Sequence, residues 1–323
     1  MNTKKLKLAL IGLMLHVISI GFAGQSIETN DFGVVAQKAY ELAEHYGMDE
    51  VLIVYDIDNT LLAMNQDLGS DQWFNWQAAK IASGDLIDVV AKDFPALLSV
   101  QGMLYAVSGM HAPDPEAPSI VNELQQEGFY DLVLTSRGFD YRDSTLRELS
   151  KNGYHFTAST LDPQEGFAGT YLPYELSNIS DYGLSEDEIK KFKLGEARPV
   201  SFMDGIFMTA GQHKGALLRT LLWKTDHLFK AILFIDDQKK HCDRMHEAFD
   251  VQGVDVVSIR YSMEDDHVRE FEQSDKSQVV EAWESLKNIL LTIFSAEYQN
   301  ADAKNTDVND DSDYDSNDGC FEC

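Results

Sequence analysis

Val51-Leu-Ile-Val-Tyr55-Asp56-Ile-Asp58-Asn-Thr60 is the stretch on which the fold turns. Its first five residues are an unbroken apolar run of strand length. A run of that kind, rather than an alternating one, belongs to a strand buried on both faces. Leu132-Val-Leu134, Ile232-Leu-Phe-Ile235 and residues 254–259 repeat the pattern. Helical stretches lie between the runs. Asp31 stands where it would cap a helix through Ala36, Ala39, Leu42 and Ala43 that closes at Gly47, and 141–151, 215–225 and 239–249 also read as helices. Strands alternating with helices predict an α/β protein with a three-layer, Rossmann-like parallel sheet.

Two segments exceed what a simple crossover needs. Residues 63–118 separate the first two strands and contain Trp73, Phe74 and Trp76, an aromatic cluster that reads as a small core of its own. Residues 161–198 form a second insertion, rich in acidic and turn residues, and 195–200 is a loop between Gly195 and Pro199. Ser201 to Thr209 reads as a hairpin turning at Asp204-Gly205. Residues 276–298 predict a final amphipathic helix. No internal repeat is present.

Lys and Arg total 26 against 54 Asp and Glu, a net charge of −28, and 44% of the residues are hydrophobic. The apolar content is enough for a real core, which excludes wholesale disorder. The charge repels phosphate backbones and anionic bilayers, so neither nucleic acid nor a membrane surface is an expected partner. Residues 300–323 read as a disordered acidic tail, and a calcium-loop reading of Asp310 to Gly319 fails on the spacing of its glycine and glutamate. At the other end, Lys4, Lys5 and Lys7 precede the apolar run Leu8 to Ile20 and the small-x-small exit Gly21-Phe22-Ala23. This is the pattern of a cleavable signal peptide over 1–23, which predicts a mature chain from Gly24, periplasmic or secreted, with no membrane span. Residues 24–299 then form the folded domain. Cys242, Cys320 and Cys323 give no disulfide framework.

The chemistry-bearing residues fall at strand exits and helix starts. Alternation places Asp56 and Asp58 on one side of the first strand's end. Two carboxylates there can bind Mg²⁺ through oxygen, and one can attack phosphorus while the other moves a proton. Thr135 and Ser136 follow the second strand with a hydroxyl and backbone N–H groups. Lys214 opens a helix after Gly211-Gln-His, and Asp236-Asp237 end a third strand. Each has a plainer reading, as turn cap, solvated charge or helix cap. His241, Cys242 and His246 do not read as a zinc site, because histidines five positions apart are off the i, i+4 helical spacing such sites use.

In this order the set resembles the haloacid dehalogenase (HAD) superfamily, whose motifs are D-x-D-x-T, Ser/Thr, Lys and an acidic pair. The match covers residues 51 to about 240, and Trp73-Phe-Asn-Trp76-Gln77 is similar to a branch from intracellular bacteria. The resemblance implies a HAD-like fold with 63–118 as a mostly helical cap or flap. It implies that Asp56 attacks phosphorus and that Asp58 protonates the leaving alcohol and then deprotonates water. Mg²⁺ would be held by Asp56, the Asp58 carbonyl and Asp236. Thr135, Ser136 and Lys214 would bind phosphate, with Thr60 and Asp237 orienting the ligands from behind. The second acid favours a phosphomonoesterase over a dehalogenase, since an alkoxide needs a proton and a halide does not. The expected substrate is a phosphorylated small molecule or a phosphoprotein. A protein (phosphotyrosine) phosphatase effector, transfer of phosphate to an acceptor other than water, and a non-catalytic secreted or surface binding protein of the same fold remain open.

Overall fold

A computed structural model of the chain describes residues 24–305 apart from 157–160, 162–166 and 168, with side chains as far as 294. The expected signal peptide at 1–23, most of the expected tail, and Cys320 and Cys323 lie outside the described residues. The chain divides into two compact units. One is Met1–Ala63 with Ala112–Glu264, here the sheet unit; the other is Met64–His111 with Asp265–Cys323, the insertion unit.

In chain order the elements begin with β1 (Gln25–Thr29), α1 (Gly33–Tyr46), β2 (Val51–Tyr55) and β3 (Ala63–Met64). The insertion follows with α2 (Asp71–Ser83), α3 (Phe94–Val107) and β4 (Met110–His111). The chain then runs through α4 (Ala117–Glu127), β5 (Tyr130–Thr135), α5 (Arg142–Lys151) and α6 (Glu186–Lys191) to β6 (Ser201–Met203) and β7 (Ile206–Met208). It closes with α7 (Lys214–Thr225), β8 (Ala231–Asp236), α8 (Lys239–Phe249), β9 (Asp255–Tyr261), α9 (Asp265–Gln273) and α10 (Ser277–Asn305).

The main sheet has seven strands in the order β1-β9-β8-β2-β5-β7-β6, and every pairing is parallel except that of β6 with β7. It is a mostly parallel, Rossmann-like α/β sheet flanked by helices. The apolar runs at β2 and β8 are buried along their whole length, as an unbroken run requires, and β5 is buried from its second residue on. Leu52, Val54, Leu132, Leu134 and Phe234 pack with Leu217 and Leu221 of α7 in one apolar cluster. The β6–β7 turn has Asp204 at φ 55° and Gly205 at φ 70°, the primed geometry that suits a tight hairpin. Helix α1 buries Val35, Ala39 and Leu42 and ends at Gly47, whose φ of 96° a side chain would resist.

Three local expectations change. Asp31 does not cap α1: its Oδ1 accepts from Gly33 N (2.8 Å), and Phe32 fills the cap position with no side-chain bond. Strand β1 was not expected. Its sequence, Gln-Ser-Ile-Glu-Thr, is mostly polar, as suits a strand at the sheet edge, paired among the described residues with β9 alone. The final helix runs to Asn305, past the expected end at 298, so 300–305 are helical.

In the insertion unit, Ser70 Oγ caps α2 by accepting from Trp73 N (3.2 Å), and Asp93 Oδ1 caps α3 by accepting from Ala96 N (2.9 Å). Trp73 is buried among Leu97, Leu104, Phe271 and Val279, with Phe74 and Trp76 packed on that cluster. The aromatic run is thus core. Phe271 and Val279 come from α9 and α10, so the end of the chain completes a core begun near residue 70.

Candidate active site

Tyr55 of β2 is in register with Val133 of β5 and with Ile235 of β8, so Asp56, Thr135 and Asp236 leave the sheet as neighbours at its carboxyl edge. Asp56 N donates to Ile235 O (2.9 Å), which extends the ladder to the aspartate itself. From β2 the chain builds the sheet outward through β5 and β7, then returns to add β8 and β9 on the other side. The carboxyl edge at such a reversal is where doubly wound sheets bind ligands.

Lys214 reaches this edge from the first residue of α7. His213 caps the helix, its Nδ1 accepting from Ala216 N (3.1 Å). Lys214 Nζ lies 2.6 Å from Asp56 Oδ1 and 2.7 Å from Asp236 Oδ2. Lys214 is 1% exposed, Asp56 5% and Asp236 0%. The next residue must be glycine: a Cβ at Gly215 would stand 2.6 Å from Arg244 O and 2.7 Å from Ala248 Cβ of α8. Helix α8 also brings in a residue the sequence did not point to. His241, in the first turn of α8, has Nδ1 3.1 Å from both oxygens of Asp236. Gln238 N donates to Asp236 Oδ1 (2.8 Å).

One buried ammonium faces two buried carboxylates. Burial pushes the Asp56 carboxyl well above the usual range; Lys214 pulls against this, and the charges of Asp236 and Asp58 add to it. Burial works the same way on Asp236, but Lys214 and the His241 hydrogen bond override it and hold that carboxyl at about 2. Burial alone would lower Lys214, yet Asp236 and Asp56 keep it above its ordinary value. His241 is lowered, first by burial and then by Lys214. With both carboxylates ionised the cluster would carry one more negative than positive charge, which a bound cation would balance. Asp56, Asp236 and His241 offer ligand atoms within 4.8 Å of one another.

Asp58 is engaged differently. Arg137 Nε donates to its Oδ2 (3.0 Å) and Nη2 to its Oδ1 (2.7 Å), a two-pronged pair across the chain. Arg137 Nη1 donates to Thr145 Oγ1 (2.9 Å) on α5. Its backbone N donates to Thr135 Oγ1 (3.1 Å). Thr135 is fully buried, and its carbonyl accepts from both N (2.9 Å) and Oγ1 (2.8 Å) of Thr209. Ser136 is exposed, and its carbonyl accepts from Gly211 N (2.9 Å). Thr60 Oγ1 accepts from Asp237 N (3.1 Å), tying the loop after β2 to the loop after β8.

Of the expected residues, Asp56, Lys214 and Asp236 therefore meet directly. Thr60 and Asp237 meet each other, while Thr135 and Asp58 are linked through Arg137. The hydrogen bond described for Ser136 joins it to Gly211 and to none of the other expected residues. His246 instead lies 2.9 Å from Ser258 Oγ and Cys242 is a buried free thiol, so His241, Cys242 and His246 do not form a shared centre. Arg137 and His241 are the additions. Each directly follows an expected motif, within two residues of Thr135 and five of Asp236, and only the complementary charge opposite could have marked it. The family described as a protein of unknown function (DUF2608) matches residues 29–296. No curated protein matches the chain.

Proposed function

The chain belongs to this DUF2608 family, and we propose that it is a divalent-metal-dependent phosphomonoester hydrolase working through a phosphoaspartate on Asp56. The observation that carries the reading is the buried triangle of Asp56, Lys214 and Asp236 at the carboxyl edge of the parallel sheet. Burying three ionisable groups together is costly for stability alone, and such clusters are typical of sites that do chemistry. The order Asp56, Thr135, Lys214, Asp236, with its resemblance to HAD motifs, supports the same reading and a HAD-like assignment of the fold.

In the first half-reaction an Asp56 oxygen bonds to phosphorus, the bond to the leaving oxygen breaks, and that oxygen takes its electron pair and a proton from Asp58. In the second, water bonds to phosphorus, its proton goes to Asp58, and the electron pair of the broken bond returns to the Asp56 carboxylate. Lys214 holds the nucleophile in place and offsets charge on the phosphoryl group. Thr135, with backbone N–H groups near Ser136, supplies further phosphate contacts.

The donor set suits a metal ion: two buried carboxylates and the His241 imidazole offer ligand atoms within 4.8 Å of one another, and the HAD resemblance implies the Asp58 carbonyl as a further ligand. Mg²⁺ is the cation the oxygen donors favour, while the imidazole widens the choice toward Mn²⁺. A bound divalent ion would screen the carboxylate from an incoming phosphate dianion. The leader-like residues 1–23 support an exported protein, periplasmic or secreted.

The test is phosphoenzyme formation. Parent protein mixed with p-nitrophenyl phosphate and Mg²⁺ or Mn²⁺, then acid-quenched, should gain the mass of one phosphoryl group on the peptide containing Asp56. Asp56→Asn should abolish both the adduct and turnover, and Asp58→Asn should retain some single-turnover labelling. No adduct and no turnover with any phosphoester would make this a non-catalytic binding protein.

A further inference from the structure

Arg137 has no place in the reaction described above, yet it is 4% exposed and all its guanidinium nitrogens donate to named acceptors: two to the oxygens of Asp58, one to Thr145 Oγ1. A buried arginine–carboxylate pair is weak evidence for stability, because desolvation offsets most of the attraction. Its location is more telling. Asp58 sits just past β2 in a tight turn where the amides of Thr60, Leu61 and Leu62 all donate to Ile57 O (each 3.0 Å) and Asn59 has φ 56°. That turn fixes the backbone, but the Asp58 side chain is 21% exposed, and the guanidinium that grips it comes from 79 residues away. The same residue touches Thr135 Oγ1 through its backbone and accepts from Ala210 N (3.2 Å) through its carbonyl. One residue therefore ties Asp58 to α5 through its side chain, and to the exit of β5 and the 209–211 loop through its backbone.

We propose that Arg137 is the positioning residue for Asp58. Its planar fork fixes the orientation of the carboxylate, the group that the proposed reaction needs beside the leaving oxygen. Lysine carries the charge but lacks the fork, so it cannot take over this task. The inference rests on the phosphohydrolase reading, and it concerns one step of it. A misplaced acid matters where the leaving group needs a proton and hardly at all where it leaves as a stable anion. A shift of about 1 Å in such a group can cost about 10²-fold.

The experiment compares parent, Arg137→Lys and Thr145→Val on two substrates, p-nitrophenyl phosphate and an alkyl phosphate such as ethyl phosphate. For Arg137→Lys we expect kcat on the alkyl ester to fall by about 10²-fold. The expected fall on p-nitrophenyl phosphate is only a few-fold, with KM on both little changed. Thr145→Val, similar in volume and at the far end of the same guanidinium, should show the same selectivity in smaller measure. It keeps the test open if Arg137→Lys folds poorly. Equal slowing of both substrates, or no slowing of either, overturns the assignment and leaves Arg137 as a structural residue. A parent protein that forms no phosphoenzyme sinks the function itself, an outcome the labelling experiment reports separately.

Discussion

Lys214, Asp56 and Asp236 are buried together in the sheet unit, whereas the insertion unit buries Trp73 among Leu97, Leu104, Phe271 and Val279. Among the described residues, the buried polar side chains of the insertion unit are Ser70, Gln72, Gln77 and Gln101, none of them charged. Gln77 shows how they are used: its amide donates to Asp88 O (3.0 Å) and accepts from Val90 N (2.9 Å), which pins a loop. Apolar burial of the Trp73 kind stabilises at roughly 25 cal/mol per Å². Burial of an unbalanced charge cluster does the opposite unless something binds there. Both units are well packed, but only the sheet unit keeps an arrangement that stability does not explain.

The sharpest way to break that contrast is one substitution in each unit. Trp73→Ala should cost about 3–5 kcal/mol, as large-to-small changes in a core do, and the cost should be the same with and without divalent metal. Lys214→Met should cost a similar 3–5 kcal/mol, since it leaves two buried carboxylates without their cation. Here added Mg²⁺ or Mn²⁺ should recover part of the loss. Urea unfolding of each variant with and without metal would separate the cases, and a metal-independent loss in Lys214→Met would remove the distinction between the units.

Metal binding to the parent gives the next largest effect. At about 100 times its Kd, a cation that binds only the folded site adds about 2.7 kcal/mol. A thermal scan should therefore show a rise of several degrees, which Asp236→Ala abolishes. Mn²⁺ should act at lower concentration than Mg²⁺, and His241→Asn should narrow that difference. A chain ending at residue 305 should keep the response, and a response lost with the tail would move the site away from the sheet.

A smaller effect concerns His213, the cap of α7. Burial first, and the Arg244 charge second, hold its imidazole down at about 4 against an ordinary value near 6.5. The unfolded chain then takes up the proton first. The contribution to stability is complete above pH about 6.5 and falls away as the pH drops toward about 4, on the order of 2 kcal/mol by pH 5. His213→Asn retains a capping oxygen but does not titrate, so the parent should lose more stability than the variant between pH 7 and pH 5. Parallel acid slopes would show that His213 has no part in acid sensitivity.

The sheet unit was largely legible because its strands announce themselves. β2, β5 and β8 are apolar runs that stop abruptly at Asp56, Thr135 and Asp236, and burial on both faces leaves such runs no other reading. Helix α8 lies at the residues the sequence assigned it, Lys239–Phe249, because its apolar stripe is strongly one-sided. What was illegible depends on pairing between distant segments. Strand β1 is too polar to stand out, and the union of residues 64–111 with α9 and α10 leaves no periodic trace. In the site, Asp56 and Asp236 were legible from position alone. The partnership of Arg137 with Asp58 spans 79 residues, while His241, five residues past Asp236, meets that carboxylate across the turn into α8.

Strand β1 also sets an order of events during synthesis. Among the described residues its one partner in the sheet is β9, and Ser26 bonds to Ser258, 232 residues further along. The first described segment therefore waits, unpaired, until nearly the whole sheet unit has been made. Contacts of such long range are slow to form, and until β1 arrives the outer edge of β9 is an open ladder able to recruit any extended chain nearby. The sheet is completed by a strand made long before its partner, so a fusion placed directly before Gln25 is expected to slow maturation more than one placed after α10.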